Sequence, residues 1–223
     1  MNKFALLAVL VFAFSACNDK QTATSTEMST EIDSVSYAYG QLMAVQMERS
    51  EWPSLNPDMI RQAFVDYNAS GDSGMSFETM QANQILMAFD SKTQAKINGD
   101  AGAEYLAKNK VNKGVVVLPS GLQYKVISSG DGESPQATDT VMCNYKGHLI
   151  SGKVFDASDE GEPAKFKVDE VIRGWTEALQ LMKTGDKWML YVPSEMAYGE
   201  GGNQVIPPNS SLVFEVELVE IIK

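Results

Sequence analysis

The chain has 223 residues, with 18 lysines and arginines against 29 aspartates and glutamates, a formal charge of −11. That charge argues against nucleic acid as a partner and against adhesion to anionic lipid through a basic face. The length allows one large domain or two small ones, and two cysteines and one histidine supply no zinc-ligand cluster.

Residues 1–16, MNKFALLAVLVFAFSA, read as an export signal. Lys3 gives the positive start, and the apolar run from Phe4 to Phe14 is too short for a comfortable membrane span. Ser15 and Ala16 are the small residues wanted before cleavage. The stretch Phe14-Ser15-Ala16-Cys17 resembles a bacterial lipobox, whose cysteine becomes the lipidated N-terminus. The alternative is an ordinary secretory signal followed by a chance cysteine. Residues 17–30 are polar and predict a flexible tether.

Residues 31–112 predict an all-helical domain. Thr30 and Asp33 form a capping-box pattern, and Ile32, Val35, Tyr39, Leu42, Met43 and Met47 recur at helical spacing. Asn56-Pro57-Asp58 combines a cap, a first-turn proline and an acid at the positive helix end, with Ile60, Ala63, Phe64 and Tyr67 as the expected buried face. Asp66, Asn68, Ser70 and Gly71 begin like a calcium loop, but Ser73 and Phe77 break the pattern, which leaves a polar turn as the better reading. Ser76 is the expected cap of a third helix carrying Phe77, Met80, Gln84, Met87 and Ala88. Asn98-Gly99 is expected to end it, with Asp100 capping a short fourth helix to about Lys110.

From Lys113 the texture changes. Leu122, Tyr124 and Val126 alternate with Gln123 and Lys125; Val141, Cys143 and Tyr145, then Trp188, Leu190 and Val192, then Leu212, Phe214, Val216 and Leu218 alternate in the same way. These are half-buried antiparallel strands. One helical pattern interrupts them, with Trp175, Ala178, Leu179 and Met182 on one stripe, ended by Lys183-Thr184-Gly185. The fold class is therefore α+β: residues 113–223 form a twisted antiparallel sheet wrapped on one short helix, after an all-helical domain.

Cys143 reads as a small core residue. His148, in Lys146-Gly147-His148, reads as a strand end or turn. It is the only histidine around which a Ser-His-Asp site could be built, and no Gly-x-Ser-x-Gly elbow accompanies it. By spacing alone Trp175 is core. Yet Phe155 lies beside Asp156, Val171 and Ile172 precede Trp175, and Tyr198 leads into a glycine-rich turn. A helix across a curved sheet leaves a groove at its N-terminus, which Trp175 is placed to floor.

At these residues the chain resembles a known family. VFDAS, VIRGWTEALQLMKTGDKWMLYVP, AYGEGG and IPPNSSLVFEVEL look like the FKBP-type peptidyl-prolyl isomerases, in order, from about residue 119 to the C-terminus. The helical half resembles, more loosely, the dimerisation region of bacterial Mip-like envelope members. The resemblance implies a groove with Asp156, Tyr198 and Phe155 in catalysis and Tyr145, Phe166, Val171, Ile172, Trp175, Ile206 and Phe214 in substrate binding. It implies no cofactor and no metal. It also implies folding assistance to proline-containing exported polypeptides, competition by FK506-type macrolides, and a homodimer through the N-terminal helices. The location implied is the cell envelope, anchored by lipid at Cys17, at the outer membrane on its periplasmic or surface face.

The alternative function is a non-catalytic proline-binding module or holdase on the same fold, for which Met43, Met47, Met59, Met75, Met80 and Met87 would be adaptable apolar surface. Two departures from the family stand out. Ser158-Asp159-Glu160-Gly161-Glu162 is acidic where members often carry arginine and tyrosine, and Asn98-Gly99-Asp100 interrupts what is often one long helix.

Overall fold

Local signals start the helices. The computed structural model describes residues 30–50, 52, 55–71, 77–159 and 161–222; the export signal, Cys17, nearly all of the tether, Met75, Ser76 and Glu160 lie outside them. Thr30 Oγ1 accepts from the Asp33 amide at 3.1 Å and Asp33 Oδ2 accepts from the Thr30 amide at 2.9 Å, the expected reciprocal cap of α1 (Glu31–Arg49). Asn56 Oδ1 accepts from the Asp58 amide at 3.0 Å and opens α2 (Pro57–Ser70). The next helix, α3 (Thr79–Asn109), takes Glu78 as its N-cap, whose amide donates to Gln81 Oε1 at 3.2 Å.

The chain divides into two compact units, one ending at Gln46 and one spanning Met47–Lys223. The described part of the first is residues 30–46, most of α1, which buries no residue: Ile32, Val35, Tyr39 and Leu42 are all more than half exposed. In the second unit, the expected buried face of α2 is corrected. Phe64 and Tyr67 are more than half exposed, Ala63 is exposed and Ile60 is half-buried. Amphipathic helices form here, but one chain does not cover their apolar sides. Trp52 is the exception that ties this region together. Its Nε1 donates to Asp90 Oδ1 at 2.9 Å, and its ring meets Phe89 edge-on at 5.6 Å.

The break at Asn98-Gly99 and the separate fourth helix are also corrected: α3 runs through both without interruption. Asn98 turns its side chain outward, and Nδ2 donates to the Pro208 carbonyl at 2.8 Å. A methyl at Gly99 would come within 2.4 Å of Asn209 Nδ2, and one at Gly102 within 2.4 Å of Ser211 Oγ. The glycines let the helix approach residues 208–211 closely. Tertiary packing offsets the roughly 1 kcal/mol helical cost of a glycine.

The C-terminal strands form a seven-stranded antiparallel sheet from β1 (Val115–Val117), β2 (Gln123–Ser128), β3 (Thr140–Leu149), β4 (Val154–Ala157), β5 (Ala164–Lys167), β6 (Lys187–Val192) and β7 (Leu212–Ile222). The order is β1-β2-β6-β7-β3-β4, with β5 also on β3. Trp188, Leu190 and Val192 face inward, as their alternation requires, and Trp188 stacks on Tyr124 at 4.2 Å. Against this face lies α4 (Arg173–Leu181), which buries Trp175, Ala178 and Leu179. Cys143 is fully buried in the same core. Gln123, expected to face outward, is buried instead because α3 lies over it. Its Nε2 donates to the Leu106 carbonyl and its Oε1 accepts from Asn109 Nδ2, both at 2.9 Å. His148 lies near the end of β3, where a bulge interrupts pairing with β4.

Candidate active site

The groove begins with how the edge of β3 is shared. Residues 140–143 pair with β5 and residues 146–148 with β4, so Tyr145 sits at the gap between them. Ser158 closes the backbone there: its amide donates to the Tyr145 carbonyl at 3.0 Å, and its Oγ accepts from the Tyr145 amide at 3.1 Å. The acidic stretch after Asp156 is thereby anchored at its start, and the Glu162 amide donates to the Asp159 carbonyl at 3.1 Å. Gly147 pairs with Asp156 on one side and Phe214 on the other. A side chain there would strike the rings of Phe155 and Phe214 at 2.7–2.9 Å; glycine lets those rings meet edge-on, centroids 5.6 Å apart.

The resulting cavity is about 310 Å³ and lies at the N-terminal end of α4. Trp175 is its floor and the centre of an aromatic cage: Tyr145, Phe166 and Phe214 stand edge-on to it at 5.4, 5.3 and 5.4 Å. The indole Nε1 is buried without a hydrogen-bond partner. Val171 and Ile172 complete one wall, Tyr198 and Asp156 the other. Backbone bonds hold the helix start in place: the Trp175 amide donates to the Ile172 carbonyl at 2.9 Å, and Thr176 Oγ1 to the Val168 carbonyl at 2.7 Å.

Two hydroxyls and one carboxylate are the polar groups of this pocket's centre. Tyr145 OH donates to Asp156 Oδ2 at 2.7 Å, while Asp156 Oδ1 accepts from the Ala157 amide at 3.0 Å. Burial, then the hydrogen bond to Asp156, pushes the Tyr145 phenol above the usual tyrosine range. Burial, then the Asp156 charge, also raises Tyr198. Both are therefore neutral donors at ordinary pH. Tyr198 is 42% exposed and lines the cavity, where a substrate carbonyl would be an acceptor for its hydroxyl.

Of the residues the sequence singles out, Tyr145, Asp156, Phe166, Val171, Ile172, Trp175, Tyr198 and Phe214 line this cavity. Phe155 stands behind it against Phe214, and Ile206 is buried in the core. Both support the lining from the layer of packing beneath it. Glu170 lines the cavity too and was missed. It is an exposed acid, bound to Lys167 at 2.8 Å, and its only signal was its place two residues before Ile172. Gly147 was also missed, since only its neighbours reveal why a side chain is excluded. A broader depression of about 570 Å³ on α3, over Phe77, Gln81, Gln84, Ile85 and Ala88, holds neither carboxylate nor phenol.

Known proteins resemble this chain over most of its length. The profile described as FKBP-type peptidyl-prolyl cis-trans isomerase matches residues 131–219, and that of the domain amino-terminal to it matches residues 32–126. The chain is 35% identical to the outer membrane protein MIP of Legionella longbeachae, over 99% of both chains. It is 40% identical to the FKBP-type peptidyl-prolyl cis-trans isomerase FkpA of Escherichia coli, over 97% of this chain and 86% of that one. The crystal structure of FkpA from Escherichia coli superposes with a TM-score of 0.58 at 36% identity, covering 87% of this chain and 98% of that one.

Proposed function

Because the chain belongs to the FKBP-type peptidyl-prolyl cis-trans isomerases of the Mip and FkpA type, we propose that the cage around Trp175 is where it turns the X–Pro bond. The activity itself is peptidyl-prolyl cis-trans isomerisation in the bacterial cell envelope. The observation that carries the assignment of the site is a cavity with aromatic walls, lined by no serine, cysteine, lysine or histidine, that joins the Asp156 carboxylate to the Tyr198 phenol.

That is what the reaction needs. Rotation about an amide costs about 18–20 kcal/mol because twisting destroys resonance. The twisted state separates less charge than the planar one, so an apolar pocket favours it relative to water. The prolyl ring packs against Trp175, Phe166 and Phe214. Tyr198 OH donates to a substrate carbonyl, and Asp156 orients Tyr145 and sets the field along the bond. Geometry and exclusion of water supply the effect, with no covalent step.

Residues 31–112 form the dimerising, client-holding domain and residues 113–223 the isomerase domain. The exposed apolar rows of α1, α2 and the start of α3 support pairing of two chains there. Cys17 carries lipid at the outer membrane, so Cys17→Ser releases the protein from the membrane fraction; unchanged partitioning refutes the anchor. Substrates are proline-containing exported chains, and FK506-type macrolides compete for the cage, since they would fill the same apolar walls.

The deciding experiment is the refolding of a proline-limited substrate with catalytic amounts of residues 18–223, beside Asp156→Ala and Phe155→Ala. Acceleration that collapses in both variants supports this groove. Acceleration that survives in both places the chemistry elsewhere.

A further inference from the structure

The segment that brings Tyr198 to the cavity has little structure of its own, only single 3-10 turns at Ser194–Met196 and Gly199–Gly201. Asn209 is what fastens it. Among the described residues it alone, apart from glycines, has a positive φ, 54°, a conformation asparagine tolerates better than most residues. The turn aims three of its groups at three elements. Its amide donates to the Gly199 carbonyl at 2.9 Å, immediately after Tyr198. Its Oδ1 accepts from Ser194 Oγ. Its Nδ2 donates to the Ala95 carbonyl at 3.0 Å, in the middle of α3.

The helix is shaped to receive this residue. Asn98 Nδ2 holds the Pro208 carbonyl at 2.8 Å, and Gly99 leaves room for the Asn209 amide, which a methyl would approach to 2.4 Å. A carbonyl inside a helix has a second lone pair after its own helical bond, so Ala95 accepts Asn209 without breaking α3.

We propose that Asn209 is a positioning residue for Tyr198, and that through it α3 sets the place of the groove's free hydroxyl. The path is short: Ala95, Asn209, Gly199, Tyr198. The geometry of the cage then depends on a helix that belongs to the helical half of the chain. This rests on the reading of the cage as the site of isomerisation.

The test uses residues 18–223 carrying Asn209→Gly, which keeps the backbone conformation and deletes both side-chain bonds, or Gly99→Ala, which crowds the clasp from the helix side. Amide hydrogen exchange of residues 199–206 and separate kcat and KM values on a prolyl peptide are the readouts. We expect faster exchange at Gly199–Gly202 in both variants and kcat lowered about tenfold, less than outright loss of a donor would cause, with KM little changed. In a Tyr198→Phe background Asn209→Gly should cost nothing further. A second full loss there, or parental exchange and kcat in both variants, overturns the proposal. If Tyr198→Phe alone keeps full activity, the donor role of Tyr198 fails, and exchange at Gly199–Gly202 decides the clasp by itself. Should either variant fail to fold, Asn98→Ala removes one neighbouring bond and is read by the same exchange: faster at Gly199–Gly202 supports the clasp, and parental rates overturn it.

Discussion

Tyr145 and Asp156 form a donor–acceptor pair whose effect reaches a third group. The raised phenols of Tyr145 and Tyr198 both depend in part on the Asp156 charge. The rate should be flat with pH through the neutral range, because neither hydroxyl titrates there, and a pH–rate profile with a break near neutrality would contradict it. Asp156→Asn should lower kcat/KM about tenfold or more, and a spectrophotometric titration should then show tyrosines ionising at lower pH than in the parent. A folded-state phenol above its unfolded value of about 10 contributes fully below that pH, and the contribution is lost as pH rises beyond it. Cys143 behaves alike: burial pushes its thiol up to about 12 from 9, so its contribution is present below pH 9 and lost from there upward. In residues 18–223 a disulfide reagent should leave this single thiol untouched at pH 8 until denaturant is added. Rapid labelling of the native protein would mean that the core opens at Cys143.

Among the elements, α3 carries the most information about what a sequence can and cannot disclose. Its turn-like Asn98-Gly99 dipeptide is a local signal, whereas the reason for both residues lies 110 positions away at Pro208 and Asn209. No periodicity reports such a partner. Gln123 was misplaced for the same reason: a helix covers the face that alternation assigns to solvent, while Val126, expected inward, is exposed. The strands β3 and β6, β7 from Phe214 to Leu218, and the stripe of α4 were legible because each packs on one face there, so burial repeats with the local period, whereas Val213, on the opposite face of β7, is buried as well. The aromatic members of the groove were legible from the family motifs, while Glu170, a charged residue on a short loop, had no pattern to announce it. A consequence can be measured at Gly102. Alanine ordinarily favours a helix by about 1 kcal/mol, but here its methyl meets buried Ser211. Gly102→Ala should therefore destabilise the folded chain by about 1–2 kcal/mol, read from urea unfolding. A gain in stability would mean that Ser211 moves aside freely.

Across the whole molecule, apolar side chains are partitioned unevenly. The sheet and α4 enclose a buried core, while Phe64, Tyr67, Phe77, Met80 and Met87 stay more than half exposed in a chain that carries −11 of charge. Contiguous exposed apolar surface marks an interaction region. Residues 18–223 should accordingly sediment as a dimer and residues 113–223 as a monomer. A monomeric longer chain would remove the pairing of helices from the reading. The shorter chain should also unfold at lower denaturant, since without α3 the buried Gln123 loses Asn109 and the Leu106 carbonyl. The three tryptophans are distributed to report on these regions separately. Trp52 is bonded to a carboxylate in the helical region, Trp188 is stacked on a tyrosine within the sheet, and Trp175 sits in the cage with an unbonded indole nitrogen. Their emission is an intrinsic optical label: with Trp52 and Trp188 changed to phenylalanine, the remaining tryptophan light comes from the cage around Trp175, and whether a prolyl peptide enters it can be followed without attaching any dye.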